Sequence, residues 1–345
     1  MMSVTLAGFV IGLVFGAAGQ RTGFCLMRGL LHWWTEGDQR RISAFAIALA
    51  VAVLGTQAIV SAGLVDVGKS LYLQAPASWL LVPVGGIAFG YGMVAANGCG
   101  ARALVLLGSG NLRSFVVLVC LGITAYAVLT GILASARVWL ASAADSTIPG
   151  IAVPALLATA GLQIGAARWI VAGLVAGSLA AFALRAPAHR PAGIELAGAL
   201  LIGALVPLGW LATGWLGNDD FDPVPVASLT FVAPIGGALQ YLMIATGASV
   251  DFGIATVGGV LLGSALAAFV SGTAALQGFD GPGHMLRLMG GGALMGAGGA
   301  LALGCSIGQG LTGLSTLALP SFVAAGGILL GARLALKGPL ALTKL

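Results

Sequence analysis

Apolar runs long enough to cross a bilayer recur along this chain from end to end. They fall near 3–19, 43–65, 77–96, 114–136, 148–165, 168–185, 194–216, 227–248, 253–275, 286–303 and 319–336. A helix of about 17–25 apolar residues spans the hydrocarbon layer. Only 7% of the residues are charged and 59% are hydrophobic, whereas soluble domains carry about a quarter charged residues. Such a chain cannot cover its apolar surface in water. The expected fold is an all-α polytopic membrane protein with about 9–11 transmembrane helices.

The net charge of +5 comes from 15 basic residues scattered between the runs. That pattern is a topological signal of membrane proteins and not a nucleic-acid surface. The opening MMSVTLAGFVIGLVFGAAG has no basic stretch ahead of its apolar core, so it reads as the first span and not as a cleaved signal peptide. Four cysteines without CxxC spacing give neither a disulfide framework nor a metal site. The sequence has no Walker A loop, HExxH or nucleophile elbow, and no cofactor is expected.

Fifty-six glycines are the second constraint, because glycine permits both close helix packing in lipid and broken backbone. Three segments are too apolar for loops and too interrupted for spans: QRTGFCLMRGLLHWW (20–34), NGCGARALVLLGSGNLR (97–113) and GCSIGQGLTGLSTLA (304–318). A weaker fourth surrounds GASVDFG (247–253). Backbone that is not helical at membrane depth must be buried in protein or line a cavity, so short re-entrant helices are expected here. Two of these segments repeat. Residues 85–109 align without gaps on 291–315 with eight of 25 positions identical, Cys99 and Cys305 among them. The chain therefore reads as one membrane domain with half-repeats 1–140 and 227–345, bridged by 141–226. Within that bridge, GNDDFDPVPV (217–226) reads as an exposed loop.

Eleven spans with the N-terminus outside put Arg21, Arg28, Arg40, Arg41, Arg102, Arg113, Arg168, Arg287, Arg333, Lys337 and Lys344 inside. Lys69, Arg137, Arg185 and Arg190 fall outside. Seven spans then precede the second half, so the halves are expected to be inverted, a recurrent transporter plan.

Cys25, Cys99 and Cys305 each stand beside glycine in an interrupted segment, whereas Cys120 lies in an unbroken apolar run and reads as packing. Thiols are soft, weak hydrogen-bond donors, suited to a sulfur anion, a soft metal ion or a persulfide. Gly98, Gly100 and Gly304 would let backbone N–H groups approach the same ligand. Asn97, Ser306, Gln309 and Thr312 would complete a neutral shell that releases what it binds. Arg102 and Arg113 attract an anion or anchor to headgroups. Asp251 is either an intramembrane relay or an interfacial residue.

GxxxGxxxQRTGFC, NGCGARALVLLGSGNLRS and GCSIGQGLTGLSTLA together resemble the YeeE/YedE family of bacterial inner-membrane sulfur-compound transporters, over essentially the whole chain. The resemblance implies an hourglass-like pore built from re-entrant helices of two pseudo-symmetric halves. It implies uptake of thiosulfate, passed along Cys25, Cys99 and Cys305 by transient S–H···S hydrogen bonds. It also implies a separate small cytoplasmic sulfurtransferase as a partner in some members, and selenium chemistry in others. A membrane persulfide-transfer protein using the same cysteines is the alternative, although no base stands beside any of them in sequence.

Overall fold

The computed structural model describes residues 2–74, 77–143, 147–148, 151–185, 189–218, 224–279, 281–338 and 341–342. Eight helical stretches among them are long and apolar enough to cross a membrane, and the fold is that of a polytopic membrane protein. The chain begins with α1 (Met2–Thr22), α2 (Leu26–Glu36), α3 (Arg40–Ser61), α4 (Leu71–Gln74), α5 (Leu81–Ala95), α6 (Gly100–Gly108) and α7 (Leu112–Leu129). Next come α8 (Ala134–Ala143), α9 (Val153–Ala158), α10 (Ile164–Leu184) and α11 (Gly193–Gly214). The chain ends with α12 (Val232–Ile244), α13 (Phe252–Val270), α14 (Pro282–Leu301) and α15 (Leu319–Lys337). A π-helical turn, Gly308–Gly313, lies between α14 and α15.

Glycine explains how these helices pair. Lipid is as apolar as leucine, so association rests on close backbone contact through small residues. On α1, Gly8, Gly12 and Gly16 lie directly against the backbone of Phe252, Thr256 and Val260, so α1 and α13 run parallel in close contact. Thr256 Oγ1 donates across that seam to the Gly8 carbonyl at 3.2 Å. Gly86 and Gly90 of α5 meet Gly327, Ile328 and Ala332 of α15 in the same parallel manner. Gly292 and Gly296 seat α14 against α7, and Gly85 and Gly92 lay α5 antiparallel on α14.

The bridging segment differs from expectation. The run 148–165 does not cross: it contains the short α9, which stops before Gly161, a residue held at φ +97. The preceding residues Thr147–Ile148 pair antiparallel with Ala77–Ser78, tying the segment to the loop between α3 and α5. Among the described residues, α10 alone is long and apolar enough to cross between α7 and α11, which reverses the expected sides of three arginines. Arg185 donates to Gln39 Oε1 at 2.8 Å, beside Arg40 and Arg41. It therefore lies on their face of the membrane, with Arg190 close behind, and Arg168 near the start of α10 lies on the other. The corrected arrangement concentrates basic residues more strongly on one face, as the positive-inside rule requires. Lys344 and the acids Asp219, Asp220 and Asp222 lie outside the described residues.

Candidate functional site

Four breaks in helical backbone meet in the core. The first, Gly23–Cys25, separates α1 from α2, with Gly23 at φ +65. The second and third are near-copies of each other. Asn97 and Leu303 adopt φ 56 and 58, and the glycines that follow, Gly98 and Gly304, adopt φ 159 and 156. In each, the glycine N–H reaches back five residues to close the helix, Gly98 to Met93 O at 2.9 Å and Gly304 to Gly299 O at 2.8 Å. This is a Schellman-type ending with a left-handed residue before the glycine. Leucine tolerates that conformation poorly, so Leu303 is held there by its surroundings.

The fourth break is the non-helical run ending at Phe231, before α12. It was expected at 247–253, but that stretch is a turn between α12 and α13 with most of its residues exposed. Asp251 there caps α13, accepting from the Ile254 N–H at 2.7 Å, so its carboxylate has a structural task. The true fourth break carries Ser, Leu, Thr and Phe where the others carry Gly-Cys, and its polar backbone is satisfied by side chains. Thr213 donates to the Ala227 carbonyl and Thr312 to the Leu229 carbonyl, both at 2.6 Å.

Each break delivers a residue to the N-terminus of a short helical element. Cys25 caps α2 and Cys99 caps α6, both in extended backbone. The Cys25 sulfur accepts from the backbone N–H groups of Met27 and Arg28, and the Cys99 sulfur from that of Arg102. The Cys305 sulfur accepts from the Gly308 N–H at 3.2 Å, and from the N–H groups of Ile307 and Phe231. Helix N-termini concentrate partial positive charge, so all three sulfurs sit where an anion is favoured. The thiols of Cys25 and Cys99 hydrogen-bond each other. Ser306 Oγ, buried and otherwise unpartnered, faces Cys99. All three cysteines are buried, at 5%, 3% and 1% exposure for Cys25, Cys99 and Cys305.

Arg102 belongs to this cluster and not to the headgroup layer. It is 8% exposed, donates through Nη1 to the Gly19 carbonyl at 3.2 Å, and keeps its buried Nε unpartnered. Its guanidinium acts electrostatically on both Cys25 and Cys99. Arg113, by contrast, donates to the Gly278 carbonyl in the loop before α14.

The other expected ligands have further tasks in the fold. Asn97 is exposed at its turn. Gly100 leaves room for Ile235 and Leu121, and Gly98 and Gly304 shape the turns. Gln309 ties the π turn to α14 by donating to the Ala302 carbonyl at 2.7 Å, its Oε1 remaining buried and unpartnered. An Asn97→Ala variant is therefore expected to lose about 1 kcal/mol of stability, since alanine is less at ease at φ +56. Its anion affinity, read by a binding titration, should be unchanged. Cys120 is partly exposed on α7 and meets Gly292 of α14, which is packing.

Two openings flank the cluster. A cavity of about 380 Å³ is lined by Tyr72, Arg137, Thr230 and Gly304. On the arginine-rich face, a narrow cleft reaches Cys25 between Thr22, Arg41 and Glu195. Tyr72 and Thr230 went unnoticed in the sequence, because a lone tyrosine between two spans carries no motif. The Tyr72 hydroxyl hydrogen-bonds Thr230, and burial pushes its pKa up, so it remains a neutral donor.

Long apolar helices whose breaks place thiols and one guanidinium at their core define a polytopic membrane protein organised around a buried polar cluster. A family model described as sulphur transport matches residues 21–334. The chain belongs to that family. It is 26% identical to the thiosulfate transporter TsuA of Spirochaeta thermophila over 344 residues, covering 94% of this chain and 96% of that one. It is also 32% identical over 118 residues to the thiosulfate transporter TsuA of Escherichia coli, covering 34% of this chain and 32% of that protein.

Proposed function

We propose that this protein takes up thiosulfate, or a closely related soft sulfur anion, across a bacterial inner membrane. The observation that carries the reading is the set of donors from Ser306 through Cys99 to Cys25, with Cys305 next to Ser306 in the chain and Arg102 beside the last two. The ion enters from the Tyr72 cavity and leaves at the arginine-rich face, which the positive-inside rule makes cytoplasmic. Thiols and backbone N–H groups bind an anion loosely enough to pass it on, as conduction requires. The single buried guanidinium offsets the cost of bringing charge into a low-dielectric interior.

No covalent step is needed, and membership of a transport family favours passage over catalysis. The names of both relatives point to thiosulfate. A small cytoplasmic sulfurtransferase would be a fitting recipient at the Arg41 mouth. The matched breaks and the antiparallel α5–α14 contact support an inverted duplication. On this reading α11, which lies against α3 as α1 lies against α13, belongs with the second repeat.

The test is uptake of radiolabelled thiosulfate into liposomes holding the purified protein. Uptake that excess unlabelled thiosulfate abolishes and excess sulfate leaves intact supports the proposal. Uptake no faster than into empty liposomes refutes it. Cys120→Ala should behave as wild type.

A further inference from the structure

The ungapped alignment that pairs Cys99 with Cys305 also pairs Arg102 with Gly308. Where the first repeat places a guanidinium one turn beyond its cysteine, the second places no side chain at all. The space is occupied from outside the aligned segment 291–315. A Cβ on Gly308 would lie 2.7 Å from Thr230 Oγ1 and 3.5 Å from Tyr72 Oη. Those two hydroxyls therefore converge on the start of the π turn, the same turn whose Gly308 N–H bonds the Cys305 sulfur. They line the 380 Å³ cavity together with Gly304. The Tyr72 ring is held edge-on against buried Trp210, centroids 6.2 Å apart and planes at 81°. Trp210 is fixed in turn by its Nε1 bond to Ser315 Oγ at 3.4 Å.

We infer that Tyr72 and Thr230 form an outer loading site that, with Cys305, selects thiosulfate by holding its two chemically different ends. This rests on the transport reading and adds the residues that choose the ion. The sulfonate oxygens are hard acceptors: the free Tyr72 proton points to one, and Thr230 exchanges its bond to Tyr72 for one to the ion. The terminal sulfur is soft and turns toward the Cys305 thiol. Sulfate has no soft end for the thiol, and sulfide has no oxygens for the hydroxyls. The loading site carries only neutral donors close to the ion, whereas the inner cluster has Arg102, so the ion is held weakly first and more strongly deeper in. Arg137 lines the same cavity but spends Nε and Nη2 on the carbonyls of Val128 and Leu129. Its part is to attract anions to the mouth.

The test compares wild type, Tyr72→Phe and Thr230→Val in liposomes, measuring initial rates of thiosulfate uptake over a range of concentrations. Tyr72→Phe keeps the ring against Trp210, and Thr230→Val keeps the shape, so both variants should fold. Thr230→Ser, which keeps the hydroxyl, serves as the rescue. A hydrogen bond to a charged group is typically worth 10- to 100-fold in affinity. The KM for thiosulfate should therefore rise about 10-fold or more in the first two variants, with the maximal rate within about twofold and Thr230→Ser near wild type. An unchanged KM in Tyr72→Phe and Thr230→Val, beside an active wild type, overturns this inference alone. A wild type that takes up no thiosulfate overturns the transport reading and this site with it.

Discussion

Replacing Cys99 with alanine is expected to lower thiosulfate uptake about 10- to 100-fold, the worth of one hydrogen bond to a charged solute. Cys99 is the member of the cluster with thiol or hydroxyl neighbours on both sides. Its thiol bonds that of Cys25 and faces the otherwise unpartnered Ser306 hydroxyl. Alanine interrupts the line of donors and leaves Ser306 with no partner at all. Serine keeps a donor but shortens the reach and replaces a soft atom with a hard one, so Cys99→Ser should be intermediate. The Cys25→Ala and Cys305→Ala losses should be smaller, because each still leaves Cys99 facing a neighbouring donor. Initial uptake rates in liposomes check the order. If Cys99→Ala transports like wild type, the donor line is not the route.

The second large effect is on assembly. Gly90→Leu is expected to prevent accumulation of folded protein. A Cβ at Gly90 collides with the Ile328 carbonyl, and the neighbouring Gly86 would place one 2.7 Å from the Ala324 carbonyl. The obstacle is backbone, which cannot rotate aside. To make room, α5 and α15 would have to part along the seam that also carries Gly327 and Gly331. Overpacking costs about 1–3 kcal/mol where side chains can yield, and more where they cannot. Moving α5 also moves the Asn97–Cys99 break at its end, so any protein that does assemble should transport poorly. Gly326→Leu is the control on the same helix, because nothing lies within 4 Å of a Cβ there. Size-exclusion profiles of detergent-extracted variants distinguish the two. A sharp, wild-type profile for Gly90→Leu would show that this seam is not needed.

The parts of this molecule that were legible in the sequence are those where composition leaves one solution. Apolar runs in a chain with 7% charge demand membrane helices. Glycine beside cysteine within such runs demands a break, and the structure puts breaks at Cys25, Cys99 and Cys305. The run at 148–165 misled because its length and apolarity suit a crossing, whereas its end at Gly161 is set by a turn that hydropathy does not register. The fourth break was missed because it uses serine, threonine and side-chain hydrogen bonds from Thr213 and Thr312 in place of glycine. Asn97 reads as a ligand from its polar amide, and the sequence does not show that the fold also uses its tolerance of φ +56. Tyr72 could not be found from sequence, since its position near Cys305 arises only when the loop between α3 and α5 folds back over the core.

The central claim is that the sulfur anion meets the thiols without bonding to them. A crystal structure with thiosulfate, using anomalous scattering from sulfur, tests it most directly. The predicted result is a two-sulfur ion between the Tyr72 cavity and Cys25, its terminal sulfur about 3.5 Å or more from the nearest Sγ, a non-bonded separation. A sulfur at about 2.05 Å from Cys25, Cys99 or Cys305, the length of a covalent S–S bond, would contradict it and make the protein a persulfide carrier.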